Sequence, residues 1–105
     1  MRPSTVTQTG VGASAAIPVD IYCPSSNKGI AVDITGTATA SVQITMDDIF
    51  DPAVTPLWLD CGVPNLVGAT ADAQNTLATP CRAIRLNQTA GTGSSRMTVV
   101  QQSLA

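Results

Sequence analysis

Asp47, Asp48 and Asp51 make up the densest group of carboxylates in the chain, in the run Asp-Asp-Ile-Phe-Asp-Pro. Three such oxygen donors in one turn are weak candidates for a hard cation such as calcium. The competing reading is a strand that ends in Asx-type turns, with Asp51 held extended by Pro52. No histidine is present, which removes the usual general base, the imidazole of a nucleophilic triad and the commonest transition-metal ligand. Cys23, Cys61 and Cys81 lack the paired spacing of a zinc site and read as free, small core residues. Lys28 is the only lysine, beside Ser25, Ser26 and Asn27. A serine–lysine dyad would have to use it, and the reading preferred over that is a solvated turn. Gly91-Thr92-Gly93-Ser94 has the composition of a phosphate loop without the lysine or the following helix. Neither a catalytic group nor a cofactor site is expected, and the chain does not read as an enzyme.

Charged residues are only 11% of the sequence and the net charge is −2, so there is no field to gather nucleic acid or an anionic membrane. Neither partner is expected. An exterior made largely of Thr, Ser, Gln, Asn and Ala loses little hydration when a neighbour covers it, which suits protein–protein contact. No stretch reaches the roughly 20 apolar residues of a membrane span. The N-terminus lacks the apolar core of a signal peptide, so synthesis in a cytosol is expected.

The elements that must position these residues are strands. Aliphatic residues recur at every second position at Ile17, Val19 and Ile21, at Ile30, Val32 and Ile34, at Val42, Ile44 and Met46, and at Ile84 and Leu86. That period puts each set on one face of a pleated strand. No helical stripe with caps competes. Pro24 through Gly29 supplies one turn. Gly36-Thr37 and Ala90 through Gly93 read as hairpin tips, the second joining strands at about 82–89 and 95–102. Leu57–Cys61 reads as a short strand carrying Trp58, placed in the core or at its rim, and 62–80 as a long non-periodic loop, a candidate binding arm. Residues 1–12 form either a first strand or an extended arm. The expectation is one all-β domain over 1–105, an antiparallel β-sandwich or jelly-roll-like barrel of about seven strands.

Two stretches carry a resemblance. One runs from Gly29 to Asp48, through Gly36-Thr37 and Val42-Gln43-Ile44-Thr45-Met46-Asp47-Asp48, and on to Trp58. The other runs from Pro80 to Gln101, through Arg82-Ala83-Ile84-Arg85-Leu86-Asn87 and Gly91-Thr92-Gly93. Together, over roughly residues 15–60 and 79–102, they resemble short virion proteins of tailed bacteriophages. The resemblance implies a decoration or cement protein on the capsid surface, made in the host bacterial cytoplasm. Its implied partners are the major capsid protein and copies of itself, as a homodimer or homotrimer. A tail or head–tail component is the neighbouring possibility, and a carbohydrate- or host-surface-binding module the alternative of another class. The expected contact residues are Arg2, Thr5 and Thr7 in the N-terminal segment, Asn65 in the 62–80 loop, and Arg82, Arg85 and Arg96 around the last hairpin. Arg82 and Arg85, three apart on a strand, point to opposite faces and form no single basic patch.

Overall fold

A computed structural model describes residues 3–19 and 27–101. The described residues form nine strands: β1 (Ser4–Thr9), β2 (Gly12–Ala13), β3 (Ile17–Pro18), β4 (Lys28–Thr35), β5 (Thr39–Thr45), β6 (Leu59–Asp60), β7 (Ala73–Leu77), β8 (Ala83–Ala90) and β9 (Ser94–Gln101), with one 3-10 turn at Pro64–Leu66. They form two antiparallel sheets, a β-sandwich. Sheet A has the order β1-β9-β4-β7; sheet B has β2-β8-β5-β6, with β3 following β2 along the same edge of β8.

The alternating aliphatics do what their period requires. Ile30 and Val32 of β4 and Met97 and Val99 of β9 face Val42 and Ile44 of β5 and Ile84 and Leu86 of β8, all buried. Fully burying side chains of this kind stabilises by roughly 1.5–3 kcal/mol each. Ile17, Leu66 and Leu77 close the core's margins, together with Cys61 and Cys81, which are free and buried. Met46 departs from the pattern: it lies one residue beyond β5 and is exposed.

Both glycine turns differ from the hairpins expected of them. β4 and β5 belong to different sheets, as do β8 and β9, so Gly36-Thr37 and Gly91–Gly93 are arches that carry the chain across the sandwich. The two arches pack on each other. Gly93 N donates to Thr37 O at 2.8 Å, and Gly10 N donates to Gly93 O at 3.2 Å. Gln88, fully buried on β8, anchors the junction: its Nε2 donates to Gly91 O and Gly93 O, and its Oε1 accepts from Ser95 Oγ at 2.9 Å. Gly91 has φ +93°, and a Cβ there would run into the Thr37 carbonyl and lie 2.7 Å from Ala38 Cα. A hairpin tip and a crossing arch draw on the same turn residues; the sheet that each flanking strand joins decides between them.

Further elements settle or correct the sequence reading. The 62–80 segment is not a free loop: it contains the 3-10 turn and β7, which pairs with β4 from Lys28↔Leu77 to Val32↔Ala73. Its weak pattern reflects an edge strand that sends only Leu77 fully into the core. Tertiary pairing outweighs local propensity here. Of the two readings of the N-terminal segment, the first strand holds for Ser4–Thr9, where β1 is paired to β9 over its whole length. Lys28 is no solvated turn residue. It opens β4, is 1% exposed, and its Nζ donates to Thr79 O at 3.1 Å. The expected Leu57–Cys61 strand is confined to Leu59–Asp60. The expected strand beyond Val19 and the turn from Pro24, with Tyr22 and Cys23, lie largely outside the described residues.

The arch junction sets a measurable hierarchy among glycines. Gly91→Ala should cost about 3 kcal/mol or more, from positive φ and backbone overlap together. Gly10→Ala, also at positive φ but with nothing within 4 Å of the new methyl, should cost about 1–2 kcal/mol. Urea unfolding followed at Trp58 should show that order in the midpoints with an unchanged slope.

Candidate interaction surfaces

The aspartate cluster does not converge on a common point. Asp47 Oδ2 accepts from Leu57 N at 2.7 Å, Asp48 Oδ1 from Phe50 N at 3.0 Å, and Asp51 Oδ1 from Ala53 N at 2.9 Å. Asp48 and Asp51 each cap the amide two residues on, as Asx turns do, while Asp47 ties the far end of the β5–β6 connection to its start. Asp48 also takes Arg82 Nη2 at 3.1 Å. The Phe50 amide and then Arg82 hold its carboxyl below the usual carboxylate range. Among the described residues no group of three or more His, Cys, Asp or Glu is placed to hold a metal ion, and Asp47, Asp48 and Asp51 each accept from a backbone amide of their own connection.

The expected contact residues fall on two surfaces. Thr5, Thr7, Asn65 and Arg96 belong to the sheet A side. Thr5 and Thr7 line the outer face of β1, and the Thr5 and Thr98 hydroxyls lie 3.2 Å apart across the β1–β9 pair. Arg96, opposite Thr7, reaches Asp33 at 3.2 Å in an exposed ion pair, which contributes little to stability. The small side chain of Ala31 on β4 leaves a shallow trough of about 590 Å³ between β9 and β7, lined by Asp33, Asn65, Asp72, Gln74, Arg96 and Thr98 among others. Asn65 and Arg96, 31 positions apart in sequence (96 − 65), thus meet at one depression. Arg2 lies outside the described residues.

Arg82 and Arg85 belong to the sheet B side and are both engaged within the chain. Arg82 pairs with Asp48. Arg85 donates from Nε to Gln43 Oε1 at 2.8 Å, and its guanidinium lies 4.5 Å from the centre of the Trp58 ring. Trp58 is therefore half-buried on the outside of sheet B under an arginine rather than in the core. The interaction is a cation–π stack, attractive because the ring face is electron-rich.

The stretch that carries Trp58 holds a further feature that the residue order did not single out. Met46, Phe50, Val54, Leu57 and Leu59 are all exposed, Phe50 by 69% and Leu57 by 65%. Four lie on the β5–β6 connection and Leu59 opens β6; the connection's ends are drawn together by the Asp47–Leu57 bond and by the Ile44↔Leu59 pairing. Scattered exposed aliphatics are ordinary; several on one short connection mark a surface suited to being covered. The signal available in the sequence was the concentration of large apolar residues in a stretch too rich in turns to bury them.

Two outcomes test this geometry. Arg85→Ala should shift the emission of the only tryptophan to the red and lower stability by about 0.5–2 kcal/mol. Burial pushes the thiols of Cys61 and Cys81 upward; nearby Lys28 opposes this only in part at Cys81. A raised thiol holds less thiolate at a given pH. At about pH 8 both should therefore resist iodoacetamide in the folded protein and react on unfolding, as peptide mapping would reveal.

No family model matches the chain, and neither does any curated protein or solved structure.

Proposed function

We propose that this chain is a virion structural protein that decorates or cements the outer surface of a tailed-bacteriophage capsid by multivalent contact with the major capsid protein. The observation that carries the reading is the concentration of exposed apolar residues between β5 and β6, set on a sandwich whose exterior, Val11 and Val100 aside, is mostly polar and weakly ionic. The sequence resemblance supports it independently. Covering side chains such as Phe50 and Leu57 is worth on the order of 1 kcal/mol each, too little for a single tight contact. Repetition of the same contact over a lattice raises its effective concentration, so weak sites add up to stable occupancy. The charged groups support the same reading. Asp48, Arg82, Arg85, Arg96 and Asp33 are engaged with one another or with neighbouring polar groups and aromatic rings.

The test is imaging of virions from a phage whose genome carries this sequence, with and without the protein, and with a Phe50→Ser/Leu57→Ser variant. Because both residues are exposed, the variant should keep its fold to within about 0.5 kcal/mol per site. Wild-type protein should add density on the head shell, and the variant's occupancy should fall at least about tenfold. Density confined to the neck or tail, no density at all, or equal occupancy by the folded variant would overturn the proposal. Truncation of the N-terminus is unsuited to this purpose, since β1 is part of sheet A and Val6 packs against the core.

A further inference from the structure

A two-sheet sandwich has four edges, and three of these are blunted. The β2/β3 edge is interrupted at Ser14, whose Oγ accepts from Leu86 N at 3.0 Å in place of a backbone carbonyl, and it then carries Pro18. The β6 edge is two residues long and bears Asp60. The β7 edge is flanked by the Pro64–Leu66 turn, from which Asn65 Nδ2 donates to the Gln74 carbonyl at 3.0 Å. Short length, charge, proline, breaks and covering loops are the means by which proteins keep sheet edges from pairing with other chains.

The fourth edge, β1, has none of these among the described residues. Ser4–Thr9 is a regular six-residue strand without charge, proline or bulge, paired to β9 in unbroken register. Apart from a 3.4 Å approach of Gln8 Nε2 to the Thr9 carbonyl at its end, no hydrogen bond from a described side chain caps its free backbone edge. We infer that β1 is a strand-addition site whose occupant is a second copy of this chain, joined β1 to β1 in antiparallel fashion about a twofold axis, so that sheet A runs continuously through both subunits. This inference does not rest on the proposed capsid role.

The strand's own chemistry favours a copy of itself. A twofold axis normal to the sheet keeps outer residues on the outer face, so outer residues must oppose outer residues. The registers of longest overlap place the axis at Val6 or at Thr7. Thr5 then lies opposite Thr7 or Thr9 of the second copy, and the hydroxyl ladder formed by Thr5 with Thr98 and Thr9 with Ser94 continues across the join. Threonine–threonine cross-strand pairs are favourable, and an uncharged strand meets its copy without like-charge repulsion. The contact is small, which sets its strength in the micromolar-to-millimolar range.

The experiment is sedimentation equilibrium of the purified full chain, with no virus particle present, up to about 1 mM. Wild type should show a monomer–dimer equilibrium. Thr5→Lys/Thr7→Lys places lysine opposite lysine in either register and should weaken the dimer at least about tenfold. Thr5→Glu/Thr7→Glu should do the same, and an equimolar mixture of the two should restore dimerisation as a heterodimer. Circular dichroism and melting must match wild type, so that loss of the dimer is separated from loss of the fold. A wild type that stays monomeric throughout, a lysine variant that dimerises unchanged, or charge-swapped partners that fail to associate would overturn the inference. The Phe50→Ser/Leu57→Ser variant should dimerise normally; a dimer lost with that variant instead would place the contact on the apolar connection and likewise overturn it.

Discussion

The fold depends on backbone meeting backbone where the chain changes sheets. At the stacked arches the Gly91–Gly93 segment lies against Thr35, Thr37 and Ala38 so closely that a side chain at 91 or 93 would overlap main-chain atoms. The buried polar groups created by that approach are satisfied locally, by Gln88 and Ser95 on the two strands leaving the arch. A buried amide at this point would be costly without partners and is stabilising with all of them. β4, β5, β8 and β9 all depart from this junction, and their inward faces supply most of the core.

From that junction the molecule divides into two differently treated exteriors. Sheet A presents rows of hydroxyls, a trough over Ala31, and one long edge. Sheet B carries the aspartate-capped β5–β6 connection, the Arg85–Trp58 stack and the exposed apolar residues next to it. The carboxylates of Asp47, Asp48 and Asp51 are structural: they hold a turn-rich loop in one shape by accepting from its amides. An apolar surface on a loop held in this way loses little conformational freedom on being covered, which helps a weak contact survive.

Strand content, the burial of one face of each aliphatic run and Asx-type turning in the aspartate stretch were legible in the residue order. Each follows from a local rule, either a period of two or a side chain reaching an amide two residues on. β7 was not legible, because Ala73–Leu77 is made a strand by Asn75, Gln74 and their neighbours lying beside β4 rather than by any pattern of its own. The residue order leaves Trp58 between the core and its rim; its position depends on Arg85, 27 residues away (85 − 58), presenting a guanidinium to its ring.

The sequence by itself determined that the protein is built of strands, that its exterior is weakly ionic, and that histidine-dependent chemistry has no place in it. These are properties of composition and of nearest neighbours along the chain. Only the tertiary structure decided that the glycine turns cross between sheets, that Lys28 is buried, that Asn65 and Arg96 share one depression, and which edge is left open. Each of those depends on which strand lies beside which, and pairing between residues distant in sequence is settled by the packing of the whole core.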